Sequence, residues 1–118
     1  ATFDVTVDGS EIHDHLWVTP PEAIAAHARS EVELPAPTFV SLTRLGGYRD
    51  VAHAVAAIPT EPYRRFAPRL VHVDGEWVAT LYNGDVAFEH EHVDLQAPGP
   101  RHRIWLTGLP WRYELEGL

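Results

Sequence analysis

The residues best suited to chemistry lie late in the chain. Glu89-His90-Glu91-His92 is followed closely by Asp94. On a strand, alternate side chains share a face, so His90 and His92 would present two imidazoles close enough to share a metal ion. A structural zinc site wants four ligands, and His72 or His102 are candidates to complete the set. The plainer reading of the same spacing is an exposed, acidic strand end carrying two uncoordinated histidines. Further along, Arg101-His102-Arg103 is the densest basic cluster. Strand alternation puts His102 with Ile104 and Leu106 on one face and Arg103 with Trp105 on the other, so at most one of these basic groups need face a ligand.

The other candidates have plain alternatives. His13, Asp14 and His15 fit a polar loop as well as a site at a sheet edge. His53 falls on the side of its helix away from Val51, Val55 and Ile58, and His27 sits among small residues near a helix end, where an imidazole can meet the dipole. The four Trp, at positions 17, 77, 105 and 111, all fall in or beside expected strands, where core packing accounts for them better than base stacking. No Ser-His-Asp order and no Gly-rich phosphate loop stands out, and Gly46-Gly47 alone is too weak to be one.

Composition narrows the partners. Nine Arg and no Lys stand against 17 acidic residues, a net charge of −8. That balance leaves no basic surface for a nucleic-acid backbone. Cysteine is absent, which removes disulfides, thiolate metal sites and a thiol nucleophile. No apolar run approaches the roughly 20 residues of a membrane span, and there is no signal-peptide pattern at the start, so the cytoplasm is the default address. The apolar fraction of 45% suits a packed globule rather than a disordered tail.

The elements that must position these residues can be read from periodicity. Phe3, Val5 and Val7 alternate with polar residues as in a half-buried strand, and His15 to Val18 reads as a second. Thr19-Pro20-Pro21-Glu22 is a capping box with Pro at the first helical position, opening a helix to about Arg29 with Pro21, Ile24, Ala25 and Ala28 on its apolar stripe. Leu34-Pro35-Ala36-Pro37 reads as an extended connector, with Thr38 capping a helix from Phe39 to Leu45. Val51, Ala54, Val55 and Ile58 mark another, ended by Pro59. From Pro68 the pattern turns to strands: Arg69 to Asp74, Glu76 to Tyr82, Asp85 to about His92, His102 to Leu106 and Trp111 to Leu115. Asp74-Gly75 and Asn83-Gly84 are the turns. The class is α+β, with residues 1–118 forming a single domain or part of one.

The segment Glu11-Ile12-His13-Asp14-His15-Leu16-Trp17-Val18-Thr19-Pro20-Pro21-Glu22-Ala23-Ile24 resembles the part of Nudix hydrolases that follows their catalytic helix. Its continuation, Glu31-Val32-Glu33-Leu34-Pro35-Ala36-Pro37-Thr38, is similar to the branch of coenzyme A diphosphatases found in peroxisomes and bacteria. A weaker likeness runs through Arg69-Leu70-Val71 and the later strands. The resemblance implies an incomplete α/β/α sandwich whose mixed sheet carries a C-terminal antiparallel meander. It also implies Mg2+-dependent hydrolysis of a small-molecule diphosphate such as a coenzyme A derivative, with Arg101 and Arg103 as phosphate contacts. The family's Gly-x5-Glu-x7-Arg-Glu-x-x-Glu-Glu-x-Gly box is missing. Arg112-Tyr113-Glu114-Leu115-Glu116-Gly117 lacks its adjacent Glu pair and upstream residues. The expectation is therefore a C-terminal portion that is not competent alone and works with a missing N-terminal half or a homodimer partner. Such a portion should leave a sheet edge or an apolar face open. The alternative is a small non-enzymatic binding domain, with metal held by His90 and His92.

Overall fold

A computed structural model describes residues 4–10 and 15–118. Phe3 and the His13-Asp14 pair lie outside the described residues. Neither 4–8 nor 15–18 joins the sheet, although strands were expected at both.

The first helix, α1 (Pro20–Ala28), starts as its sequence dictates. Thr19 accepts from the Glu22 amide at 3.3 Å while the Glu22 carboxylate reaches back to Thr19. Its buried positions are Ala23, Ala26 and His27, one step round from the expected stripe, with Ile24 half-buried beside them. The second, α2 (Ala36–Leu45), begins earlier than expected. Pro35 is its N-cap and Pro37 lies in its first turn, where the missing N–H costs no hydrogen bond. Phe39 and Val40 are its buried residues. The third, α3 (Val51–Ala57), is capped by Asp50, which accepts from the His53 amide at 2.8 Å, and it runs on into a 3-10 turn at Ile58–Thr60. It buries none of its residues, and Val51 and Val55 remain 78% and 69% exposed.

Four strands form one antiparallel sheet in the order β1 (Arg69–Val73), β2 (Glu76–Leu81), β3 (Arg101–Trp105), β4 (Arg112–Glu116). Asp74 and Gly75 both have positive φ, 50° and 83°, which is the mirror-image turn that a two-residue hairpin between twisted strands requires. The Asn83-Gly84 pair behaves differently. No strand starts directly after it. Residues 82–100 are a long irregular connection, and β2 pairs directly with β3, with Thr80 opposite Ile104 and Leu81 opposite Arg103. The strand expected over Asp85 to His92 is thus a loop. Asp85 and Ala87 are buried, and Phe88, Val93 and Leu95 pack on Val71, Ala79 and Leu81, so cover for one sheet face displaces edge pairing. All described strands are antiparallel, where a mixed sheet was expected.

The sheet therefore has two unlike faces. On one, Tyr82 and Ile104 pack with Phe39 and Val40, supported by Ile24, Leu34, Phe66, Leu106, Trp111 and Tyr113. The other is covered by the 82–100 loop, so among the described residues helices lie on one side only. The α+β class holds. No helix among the described residues is long and apolar enough to cross a membrane. The radius of gyration is 16.4 Å with extents of 49 × 37 × 23 Å, wider than the roughly 13.5 Å of a compact domain this long.

Candidate functional site

Register decides where the basic cluster goes. Arg101 and Arg103 point to the loop face and His102 to the helical face, as alternation requires. Arg103 is fully buried. Its Nε donates to Asp85 Oδ2 and its Nη2 to Asp85 Oδ1, both at 2.7 Å, a bidentate fork on one carboxylate. Nη1 donates to the Leu95 carbonyl at 2.7 Å, and the guanidinium lies 5.1 Å from the Trp105 ring centre. Asp85 accepts two further bonds, from the amides of Ala87 and His102 at 2.9 and 2.8 Å. Burial pushes the Asp85 carboxyl up, but the Arg103 fork, the two amides and the adjacent positive charge outweigh it and hold it below the usual carboxylate range. Arg103, expected as a phosphate contact, is spent on closing the loop over the sheet.

Arg101 is held in the same way on a smaller scale. Its Nη1 donates to Glu114 Oε1 at 3.2 Å, an oxygen that also accepts from Trp105 Nε1, and the Arg101 side chain is 20% exposed. Burial raises Glu114, and the bonds from Trp105 and Arg101 with the nearby positive charges bring it below its ordinary value. The two arginines share a face, but each is committed to a carboxylate of this chain.

His90 and His92 are exposed on the loop, and the alternation that would aim both rings to one side is gone. His90 contributes its carbonyl, which accepts from Arg69 Nη1 at 2.6 Å. His102 sits across the sheet from that loop, and His72 stacks on Trp77 with ring centres 4.5 Å apart. Among the described residues no group of three or more His, Asp or Glu is placed to hold a metal ion.

The helical face carries a buried polar relay that sequence reasoning missed. His102 Nδ1 lies 2.9 Å from the Asn83 carbonyl, which can only accept, so Nδ1 carries the proton. The other nitrogen, Nε2, then accepts from the Tyr113 hydroxyl at 2.8 Å. Burial lowers the His102 pKa, and the Arg64 and Arg44 charges push the same way. The Asn83 bond and Asp85 oppose them but do not prevail. Burial likewise raises the Tyr113 hydroxyl. The imidazole is neutral and packed against Phe66, Tyr82 and Tyr113. The only sequence signal for it was the alternation that set His102 with Ile104.

Beside this relay lies a cleft of about 380 Å³ between α2 and the sheet, lined by Val40, Arg44, Phe66, Leu70, Thr80 and Tyr82 among others. Arg44 sits 5.8 Å from the Phe66 ring centre, and its Nη2 donates to Glu61 Oε2 at 3.0 Å. Glu61 also accepts from the Tyr48 hydroxyl. That bond, with the Arg44 bond and the Arg44 and Arg64 charges, lowers the Glu61 carboxyl against the effect of burial. His27 lies in the last turn of α1, near a helix end as expected, and is buried between Phe39 and Trp111 at ring distances of 5.6 and 4.6 Å. Trp111 is a core aromatic as expected, whereas Trp17 and Trp77 are half-exposed.

Comparison with family models, with curated proteins and with solved structures returns no match.

Proposed function

We propose that these residues are the C-terminal part of a Nudix-type hydrolase acting in the cytoplasm on a small diphosphate-linked molecule such as a coenzyme A derivative. On this reading the chain supplies sheet and substrate-side surface and is not catalytically competent alone. The reading rests on the resemblance of residues 11–24 and 31–38, which include the capped start of α1 and the Pro-bounded start of α2.

The observation that carries it is the openness of the body. Its radius of gyration exceeds that of a compact chain of this length, and Leu16 and Val18 lie on an extended segment outside the sheet, 64% and 41% exposed. Two large apolar side chains held at the surface of one short segment suit an interface better than solvent. An N-terminal half or a homodimer partner laid on this segment would supply the missing cover.

The described residues do not fit Mg2+, since they hold no cluster of carboxylates. The family's metal ligands would come from outside them. The test compares the 118-residue chain with the product of the whole reading frame, each incubated with coenzyme A and MgCl2 and followed by phosphorus NMR. Cleavage of the diphosphate by the longer product alone is the expected result. A longer product that carries no carboxylate box, or that cleaves no diphosphate, would sink the proposal.

A further inference from the structure

The strand β4 lies at an edge of the sheet, and β3 determines which of its backbone groups face outward. The His102 carbonyl accepts from the Tyr82 amide at 2.8 Å, and the Leu106 amide donates to the Val78 carbonyl at 3.0 Å. Alternate residues of β3 thus turn their backbone groups toward β2. Arg101, Arg103 and Trp105 turn theirs toward β4, where they meet Glu116, Glu114 and Arg112. The amides and carbonyls of Tyr113 and Leu115 therefore point away from the sheet. Among the described residues no backbone group bonds to them there. The opposite edge, β1, is interrupted by a register shift between Val71 and His72, the kind of irregularity that spoils an edge for pairing. The pairing of β4 with β3 is regular throughout.

The side chains of β4 suit a second copy of itself. Two copies of one strand pair antiparallel about a two-fold axis, which fixes the residue each one meets. Pairing the outward groups of Tyr113 and Leu115 with one another leaves three registers. Centred on Tyr113, Arg112 falls opposite the partner's Glu114 on both sides of the axis, and no like charges meet. Centred on Glu114, the two Glu114 carboxylates face each other. Centred on Leu115, Glu114 faces the partner's Glu116 twice. Unlike charges directly opposite stabilise a strand pair and like charges destabilise it, which selects the first register.

The groups concerned have capacity to spare. The Arg112 side chain is 64% exposed, and its guanidinium makes no hydrogen bond among the described residues. It approaches Glu114 Oε2 of its own strand only to 3.6 Å, long for a charged hydrogen bond. The other Glu114 oxygen takes the bonds from Arg101 and Trp105. On the helical face the same register lays Leu115, 37% exposed, against the partner's Trp111.

We infer that two copies of this chain join through β4 in the register centred on Tyr113, merging two four-stranded sheets into one. Backbone hydrogen bonds and the Leu115–Trp111 contact hold the strands together, and the ion pairs fix their register. The inference does not rest on the hydrolase reading, because it uses no diphosphate, no metal and no residue of the extended segment before α1.

Sedimentation equilibrium of the 118-residue chain over a concentration series tests it, with a dimer as the expected species. Leu115→Pro removes an amide hydrogen that faces outward, so it costs no bond to β3. It should give a monomer with an unchanged circular dichroism spectrum. Arg112→Glu sets like charges opposite each other twice and should weaken the dimer about tenfold, or about 1.4 kcal/mol. The chain has no cysteine, so register can be read by cross-linking. Arg112→Cys chains oxidised together with Glu114→Cys chains should give chiefly the mixed disulfide, since residues directly opposite in a strand pair lie within disulfide reach. A monomer at every concentration, a folded Leu115→Pro chain that still dimerises, or a merely statistical mixture of the three disulfides overturns the assignment. If Leu115→Pro unfolds, the cysteine mixture decides alone.

Discussion

The pair Asp85 and Arg103 offers the sharpest test of how the loop face is held. Both side chains are fully buried, and the carboxylate accepts four bonds of 2.7 to 2.9 Å. Asp85→Asn keeps the shape but removes the charge. It also turns an NH2 group toward a guanidinium or an amide, so at least one donor faces a donor. Removing one partner of a buried ion pair costs about 3–5 kcal/mol, because the other charge is left unpaired in a dry site. That is a large part of the roughly 6–15 kcal/mol that stabilises a domain of this length. With a melting-temperature change of about 4 °C per kcal/mol for a chain between the small and medium size classes, the variant should melt about 15 °C lower. Urea unfolding with a matched m-value gives the free energy directly. The control is Asp85→Leu with Arg103→Met. Replacing both charges by apolar groups should recover most of the loss, since the pair's attraction only offsets its desolvation. A single Asp85→Asn loss below about 1 kcal/mol, or a double variant no better than the single, refutes the reasoning.

Other consequences can be measured on the same material. The folded pKa of His102 lies below its ordinary 6.5 and that of Asp85 below 3.8. In both cases the unfolded chain takes up protons first on acidification, so stability should fall as pH drops below 6.5 and fall again below 3.8. Urea titrations of the wild type against His102→Gln should show the first step only in the wild type, and a step of equal size in both refutes the assignment. Thr19→Ala breaks the capping box of α1 and should cost about 1 kcal/mol, read by thermal melting. Val55→Lys on the open side of α3 should change stability by less than about 0.5 kcal/mol, and a larger loss would mean that this face is covered. Zinc calorimetry on the wild type and on His90→Ala with His92→Ala should give indistinguishable heats, and a binding step lost only in the double variant restores the paired-imidazole site.

Local signals were legible where local chemistry decides the outcome. The capping box at Thr19 and Glu22, the Asp74-Gly75 hairpin and the alternation of His102 against Arg103 are set by residues within a few positions of each other. Asn83-Gly84 shows where this stops. The pair is a strong hairpin signal, yet the following residues carry Asp85, whose partner Arg103 is 18 positions away. The packing of Phe88, Val93 and Leu95 from the same connection onto Val71, Ala79 and Leu81 outweighs a strand propensity worth at most about 1 kcal/mol across its whole scale. The helix from Ala36 was hidden for a related reason. Two prolines suggest a connector, but in a first turn they are tolerated, and Phe39 and Val40 anchor the helix on Ile104. The cleft could not be read at all, because Arg44 comes from α2, Phe66 from the connection before β1 and Thr80 from β2.

The distribution of satisfied and unsatisfied groups bears on what a partner surface must bring. The buried charges are closed within the chain: Arg103 on Asp85, Arg101 on Glu114. What stays exposed is apolar: Leu16 and Val18 on the extended segment and Val51 and Val55 on α3, which a groove lined by Pro20, Pro21, Leu45 and Val51 brings close to Thr19. Cover over such a patch draws on the hydrophobic effect rather than on ion pairs, so association should survive, and even tighten, in high concentrations of sulfate. An interface held by surface charge would weaken as the screening length shrinks. Sedimentation of the 118-residue chain across a salt series, alone and with the N-terminal half that the proposed function calls for, separates the two. Dissociation in salt would place the contact on the charged faces and away from residues 16–18.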